Sequence, residues 1–365
     1  MKVAILGSRG IPNYYGGFEQ FAEYLSVGLV ERGHDVTVYG SHAHPFKKDT
    51  FKGVQLKRVF DPEYKIGTAG QFAYDLLSIL DTRKQQYDII LQLGYTSSSI
   101  FFSFHPKRAI VITNMDGLEW KRTKYTKKVQ RFLEWAESLA VKRSNYLVSD
   151  SIGIQDYLKQ KYNLDSEFIP YGSHVVNYYD EDILDEFGVK KNGFDMLIAR
   201  LEPENSIEII LDGVVKSEVN RIFLVIGKHE TKFGRYLKDR YKAYKNILFT
   251  GAVYDINKLS SLRYFANIYF HGHTVGGTNP SLLEAMGASA LICANANEFN
   301  KTILGEDALY FNNSDDVKKV LIKVKKENYL DFIIRNKEKI MTLYRWDKII
   351  DQYESFFIKC LKAKE

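Results

Sequence analysis

Residues 271–287, HGHTVGGTNPSLLEAMG, place glycines, a helix-capping pair and one carboxylate in close order after an apolar stretch. That order suits a nucleoside-diphosphate site. Gly276 and Gly277 let the backbone approach a ligand closely, and Asn279 followed by Pro280 joins a good N-cap to the residue favoured at the first helical position. A helix is therefore predicted from Pro280, with Leu282, Leu283, Ala285 and Met286 as its apolar residues. Its unpaired N–H groups and positive dipole end point back at the glycine loop, where an anion is stabilised. Glu284, one turn in, would repel a phosphate it faced. It is either an acceptor for sugar or ribose hydroxyls or an exposed helix glutamate.

A second glycine loop, GSRGIPNYYGGFE, lies near the start. A dinucleotide site is disfavoured there, because Gly7 and Gly10 do not give G-x-G-x-x-G and the second strand ends in Tyr39-Gly40-Ser41 without an acidic residue for a ribose. No G-x-x-x-x-G-K-[ST] sequence occurs, so a nucleotide-hydrolysing P-loop is excluded. Gly16 and Gly17 open a helix, as a tight turn or as a place where backbone amides meet an anion or a sugar. Charge is concentrated further on. Lys121, Arg122, Lys124, Lys127, Lys128, Arg131, Lys142 and Arg143 face only Glu134 and Glu137 within residues 121–143, so this segment carries a net charge of +6, equal to that of the whole chain. Interleaved with Tyr125, Val129, Phe132, Leu133, Trp135 and Leu139, it reads as a basic amphipathic helix, either a solvated face or one resting on anionic lipid headgroups. Nucleic acid is not expected as a partner, since no recognised binding module accompanies the charge.

The elements that must position these residues follow from length and periodicity. A chain of 365 residues with 45% hydrophobic and 26% charged content is expected to form two globular domains of roughly 170 residues each. The opening MKVAILGSRG does not read as a signal peptide, and no run of apolar residues is long enough to span a membrane. Cys293 and Cys360, the only cysteines, have no neighbours at metal-ligand spacing, which fits a reduced, cytoplasmic setting. Strands are expected at 2–6, 35–39, 55–59, 89–93, 109–113, 146–149 and 167–169, and again at 195–199, 221–226, 247–250, 268–270, 291–294 and 308–311. Helices are expected at about 18–30, 69–84 and 126–141. The fold class is then α/β, two Rossmann-like domains built on parallel sheets, joined near residues 170–180. Ligands in such sheets lie beyond the carboxyl ends of the strands, here in a cleft between the domains.

Taken together, GSRGIPNYYGGFEQFAEYL, TNMDGLEWKR, ARLEPEN, GGTNPSLLEAMG and the terminal YRWDKIIDQYESFF resemble family 4 of the nucleotide-sugar glycosyltransferases. Within it the match is closest to bacterial rhamnosyltransferases of capsule and cell-wall polysaccharide assembly. The resemblance implies the GT-B architecture, with an N-terminal domain over 1–172, a nucleotide-sugar domain over 173–345 and a helix over 346–365 that crosses back to the first domain. It also implies transfer with retained anomeric configuration, without metal, the nucleotide sugar serving as co-substrate.

By the same resemblance Glu284 matches the second glutamate of the E-x7-E motif, which binds ribose, while the first would fall at Gly276 and is missing. Gly277, Thr278, Asn279, Ser281 and Leu282 would hold the diphosphate and sugar, mainly through hydroxyl and backbone donors, with Gly16 and Gly17 also on the donor. Arg200 matches a basic residue that bridges both phosphates; the alternative is a surface ion pair with Glu202 or Glu204. The lysine usual a few residues later is replaced, and Lys228 stands as the second positive charge. Asp116 would touch a sugar hydroxyl, orient the acceptor or offset charge at the anomeric carbon, although Asn114-Met115-Asp116-Gly117 also reads as a turn. Val253 and Tyr254 match the base-reading positions. Lys121, Arg122, Lys124, Lys127, Lys128 and Arg131 would form the membrane and acceptor surface. The implied reaction moves L-rhamnose from its dTDP donor to a glycan on a polyprenyl-diphosphate lipid, at the inner face of the plasma membrane. A UDP-sugar donor, a GT-B nucleotide-sugar epimerase and a non-catalytic scaffold remain as alternatives.

Overall fold

Short apolar segments alternate with amphipathic helices along the chain, and a computed structural model, describing residues 1–14, 16–122 and 124–364, pairs those segments into two sheets. The chain divides into two compact units. One comprises Met1–Lys121, Tyr125–Gly172 and Trp346–Glu365, and the other Arg122–Lys124 and Ser173–Arg345.

The first unit holds β1 (Lys2–Leu6), β2 (Asp35–Ser41), β3 (Thr50–Phe51), β4 (Val54–Val59), β5 (Ile89–Leu93), β6 (Ile110–Asn114), β7 (Tyr146–Ser149) and β8 (Glu167–Phe168). They run in the order β3-β4-β2-β1-β5-β6-β7-β8, all parallel except β3. Every residue of β5 and β6 is buried, as expected for parallel strands covered on both faces by helices. The helix Trp346–Lys364 packs against Gly17–Glu31 within this unit. Phe21 meets the Tyr353 ring at 5.2 Å, and Tyr24 stacks on Trp346 at 4.6 Å. Gly28 permits the approach, because a Cβ there would lie 2.3 Å from Ile350 Cδ1.

The second unit holds β9 (Phe194–Ile198), β10 (Ile222–Ile226), β11 (Ile247–Gly251), β12 (Ile268–His271), β13 (Ile292–Asn295) and β14 (Leu309–Phe311). Their order is β11-β10-β9-β12-β13-β14, all parallel. The α/β class expected from the sequence is the one observed. In this sheet the chain winds from β9 to one side through β10 and β11, then returns to the other side at β12. The winding reverses between β9 and β12, and in open sheets ligands bind at the carboxyl edge of such a switch point.

Candidate functional site

At that edge β9 and β10 are in register, Ile198 opposite Ile226, so Arg200 and Lys228 each stand two residues beyond the paired ends. Gly227 lets the two loops close up: a Cβ there would lie 2.1 Å from the Ala199 carbonyl oxygen. Both cations are exposed, and neither takes part in an ion pair among the described residues. The surface ion pair between Arg200 and Glu204 is not formed. Glu204 turns into the protein, 3% exposed, and pairs with Arg122 at 3.5 Å.

The segment after β12 is fixed by its neighbours. Gly272 packs so close to the Asn205 carbonyl that a Cβ would lie 2.1 Å from its oxygen, and Gly276 has a φ of 136°, which favours glycine. Thr274 donates through its N–H (3.2 Å) and Oγ1 (2.7 Å) to the Glu204 carbonyl. Asn297 and Asn300 donate their side-chain amides to the His273 carbonyl at 2.8 and 3.1 Å. The helix Pro280–Gly287 begins where the sequence predicts, with Asn279 Oδ1 accepting from the Ser281 N–H at 2.9 Å. Gly277 is half-buried in this loop and Thr278 is buried beside it. Leu282 belongs to the core, and its N–H donates to the Asn279 carbonyl at 3.0 Å. Its side chain lies in the apolar face that the sequence assigns to it, which leaves only its N–H, already shared with that carbonyl, toward a ligand.

Glu284 is not the exposed helix glutamate. It is 20% exposed, and its Oε2 accepts from Arg263 Nη2 at 2.8 Å. The same nitrogen donates to Ser281 Oγ at 3.1 Å, which lies 3.0 Å from the Tyr269 hydroxyl. Arg263 comes from the helix Ile256–Phe265 and is 1% exposed. Sequence reasoning missed it. After β11, Val253 is half-buried and Tyr254 is 78% exposed, at the side of the sheet reached from β9 through β10.

Sequence reasoning also passed over His271 and His273. Their rings stack with centroids 4.5 Å apart and planes 20° apart. Both His271 ring nitrogens and His273 Nδ1 are buried without a hydrogen-bond partner among the described residues, as are Glu204 Oε2 and Arg263 Nε and Nη1. Burial, with the charges of Arg200 and Arg122, pushes the His273 imidazole down to about 3, and burial holds His271 well below the ordinary histidine range. Both rings are neutral at physiological pH. The one sequence signal was the H-G-H repeat directly after a strand.

In the first unit, Gly16 is the N-cap of Gly17–Glu31 and its N–H donates to Asn13 Oδ1 at 3.2 Å. Glu19, buried in the first turn, accepts the Arg9 N–H at 2.8 Å, while the Arg9 guanidinium forks onto Glu63 at 2.7 and 3.0 Å. A carboxylate thus already stands at this helix start, which disfavours a further anion there. Asp116 follows β6, half-buried, and Oδ2 accepts from the Tyr171 hydroxyl at 3.5 Å. Gly117, at φ 73°, completes the turn.

The basic segment forms the helix Lys127–Arg143, capped by Thr126. Lys121, Lys124, Lys127, Lys128 and Arg131 are exposed, with Trp135 at 51% and Val129 at 39% beside them. Arg122 departs from this set: at 14% exposure, facing Glu204, it is not part of an open basic surface. The helix is anchored by buried Glu137, which accepts from Trp120 Nε1 (3.1 Å), the hydroxyls of Tyr157 (2.6 Å) and Tyr162 (2.8 Å), and Lys161 Nζ (3.2 Å). No helix among the described residues is long and apolar enough to cross a membrane.

A family described as a domain of unknown function, DUF1972, matches residues 1–174. Among curated proteins, none matches this sequence. Solved structures match over nearly the full length. Sucrose-phosphate synthase from Thermosynechococcus elongatus superposes with a TM-score of 0.82 at 15% identity, covering 99% of each chain. HepE of Anabaena, in complex with UDP and glucose, gives 0.76 at 15% identity, covering 98% of this chain and 100% of the other. WaaG, a glycosyltransferase involved in lipopolysaccharide biosynthesis, gives 0.70 at 14% identity over 96% and 99%. The chain therefore has the GT-B glycosyltransferase fold.

Proposed function

We propose that this protein is a nucleotide-sugar glycosyltransferase whose donor site is the carboxyl edge of the second sheet at its β9/β12 reversal. The observation that carries the reading is the pair of exposed cations, Arg200 and Lys228, without carboxylate partners among the described residues, on the same edge as the capped helix start at Asn279. That combination matches a diphosphate leaving group, which a guanidinium and an ammonium would meet beside the positive end of a helix. As the glycosidic bond lengthens they stabilise the developing charge, which is electrostatic catalysis by a preformed site. Glu284, oriented by Arg263, takes the ribose hydroxyls, and Gly277, Thr278 and Ser281 supply further donors. Val253 and Tyr254 flank the base. In the first unit Gly16, Gly17 and Asp116 are assigned to the sugar and acceptor side of the reaction.

The finer reading follows the sequence resemblance. The donor is dTDP-L-rhamnose, transfer is retaining and needs no metal, and the departing phosphate oxygen takes the acceptor proton. The acceptor is a polyprenyl-diphosphate-linked glycan, met at the inner membrane face through the exposed cations Lys121, Lys124, Lys127, Lys128 and Arg131 with Trp135. UDP-glucose is the competing donor, since HepE is known with UDP-glucose bound. Calorimetric titration with dTDP, UDP, GDP and NAD tests the reading. Preferential dTDP binding, weakened about tenfold to a hundredfold by Arg200→Ala or Lys228→Ala, is expected from loss of one charge-assisted contact. Preference for UDP replaces the sugar and keeps the enzyme class, whereas binding unchanged in both variants refutes the phosphate assignment.

A further inference from the structure

We infer that His273, backed by His271, is a specificity-determining contact to the transferred sugar, hydrogen-bonding a sugar hydroxyl rather than the diphosphate. This rests on the donor reading above and deepens it. The argument starts from polar atoms left without partners. A neutral imidazole carries one N–H donor and one bare acceptor nitrogen, and His271 has both buried and unpaired while His273 has a buried unpaired Nδ1. Unpaired buried groups are costly in a folded protein and call for a reason.

The backbone that carries the rings is held in place. Gly272 between them is pressed onto the Asn205 carbonyl, and the His273 carbonyl is held by Asn297 and Asn300. The stack itself, 4.5 Å between centroids, fixes one ring against the other. The surroundings select the ligand. Arg200 and Arg122 act on His273, and Arg263 acts on His271, all disfavouring a proton on either ring. A phosphate oxygen is an acceptor only and is best met by the cations already present. A sugar hydroxyl both donates and accepts, so it can pair with the unpaired Nδ1 of a neutral His273 in either tautomer. Among the described residues no three His, Cys, Asp or Glu side chains gather closely enough to hold a metal ion, so the pair does not belong to such a cluster.

The test compares a nucleotide with its own sugar conjugate. Wild type, His273→Ala and His273→Asn are titrated calorimetrically with dTDP and dTDP-L-rhamnose, and with UDP and UDP-glucose, after circular dichroism has established that each variant is folded. His273→Ala should leave nucleoside-diphosphate affinity within about twofold and weaken the matching nucleotide sugar about tenfold, with partial recovery in His273→Asn, which keeps a donor and an acceptor. The sugar-dependent increment should be flat between pH 6 and pH 8, because the ring stays neutral. Equal weakening of nucleotide and nucleotide sugar would make His273 a phosphate contact and overturn the inference, as would no weakening of either. A wild-type protein that binds none of the four ligands overturns the donor reading itself, an outcome distinct from failure of the variant.

Discussion

Arg263 offers the sharpest test of how Glu284 is held. The guanidinium is 1% exposed and reaches the 20% exposed carboxylate at 2.8 Å. Replacing it by Met retains an apolar stem and leaves Glu284 without its buried counter-charge. Breaking such a pair from one side costs about 3–5 kcal/mol, whereas replacing both charges by apolar side chains is often nearly neutral. Arg263→Met should therefore lose about 3 kcal/mol, and Arg263→Met/Glu284→Met should be more stable than Arg263→Met alone. The control is Arg240, which pairs with Asp212 at 3.0 Å with the side chains 41% and 37% exposed. Its loss should cost about 0–1 kcal/mol, the range of surface ion pairs. Urea unfolding followed by far-ultraviolet circular dichroism is the appropriate assay, because Trp120, Trp135 and Trp346 all lie in the first unit and fluorescence would not report the second. A loss below about 1 kcal/mol in Arg263→Met, or strict additivity in the double variant, would refute the account of Glu284 as an oriented carboxylate.

Three further outcomes follow from single environments. Gly28→Val forces Ile350 from its seat, since even a Cβ would lie 2.3 Å from Ile350 Cδ1; a loss of about 1–3 kcal/mol is expected in tryptophan-detected unfolding. Burial pushes the His105 imidazole down to about 4. Its folded value lies below the unfolded one near 6.5, so its contribution is complete above that pH and falls away by about 3 kcal/mol as pH drops to 4. His105→Asn should remove that part of the acid sensitivity, measured as the difference in urea midpoint between pH 7 and pH 4.5. Asp75 runs the opposite way: burial raises its carboxyl to about 7 despite the hydrogen bond from Ser97. The folded form holds its proton more tightly than the unfolded chain, so stability declines from about pH 4 to pH 7 and levels above. Asp75→Asn should be more stable than wild type at pH 8, by roughly 2–4 kcal/mol, with the advantage gone at pH 4.

Much of the fold was legible because each parallel strand is a nearly continuous apolar run between turn residues. Ile89–Leu93 and Tyr146–Ser149 have the expected bounds, and most others differ by a residue or two. The strand Thr50–Phe51 was missed: two residues carry no periodicity, and its turn places Lys52 and Gly53 at positive φ, of which only the glycine gives a signal. The helix start at Asn279-Pro280 was readable since capping is local chemistry. What lay beyond reach were meetings between distant polar groups. Arg263 sits 21 residues before Glu284 on another helix, and nothing in its own segment marks it as buried. Arg122 reads as one more cation in a basic run, yet Glu204 draws it inward. Hydrophobic period records which face is covered, not which polar atoms will face each other beneath it.

The central claim is the location of the donor site. Hydrogen–deuterium exchange with and without saturating dTDP, repeated with UDP, tests it most directly. Protection is expected in the segments after β9, β10 and β12, residues 199–206, 227–231 and 272–284, and should be diminished in Arg200→Ala. Nucleotide-dependent protection confined to the loop after β1, or absent from all three segments while the nucleotide is bound, would contradict it.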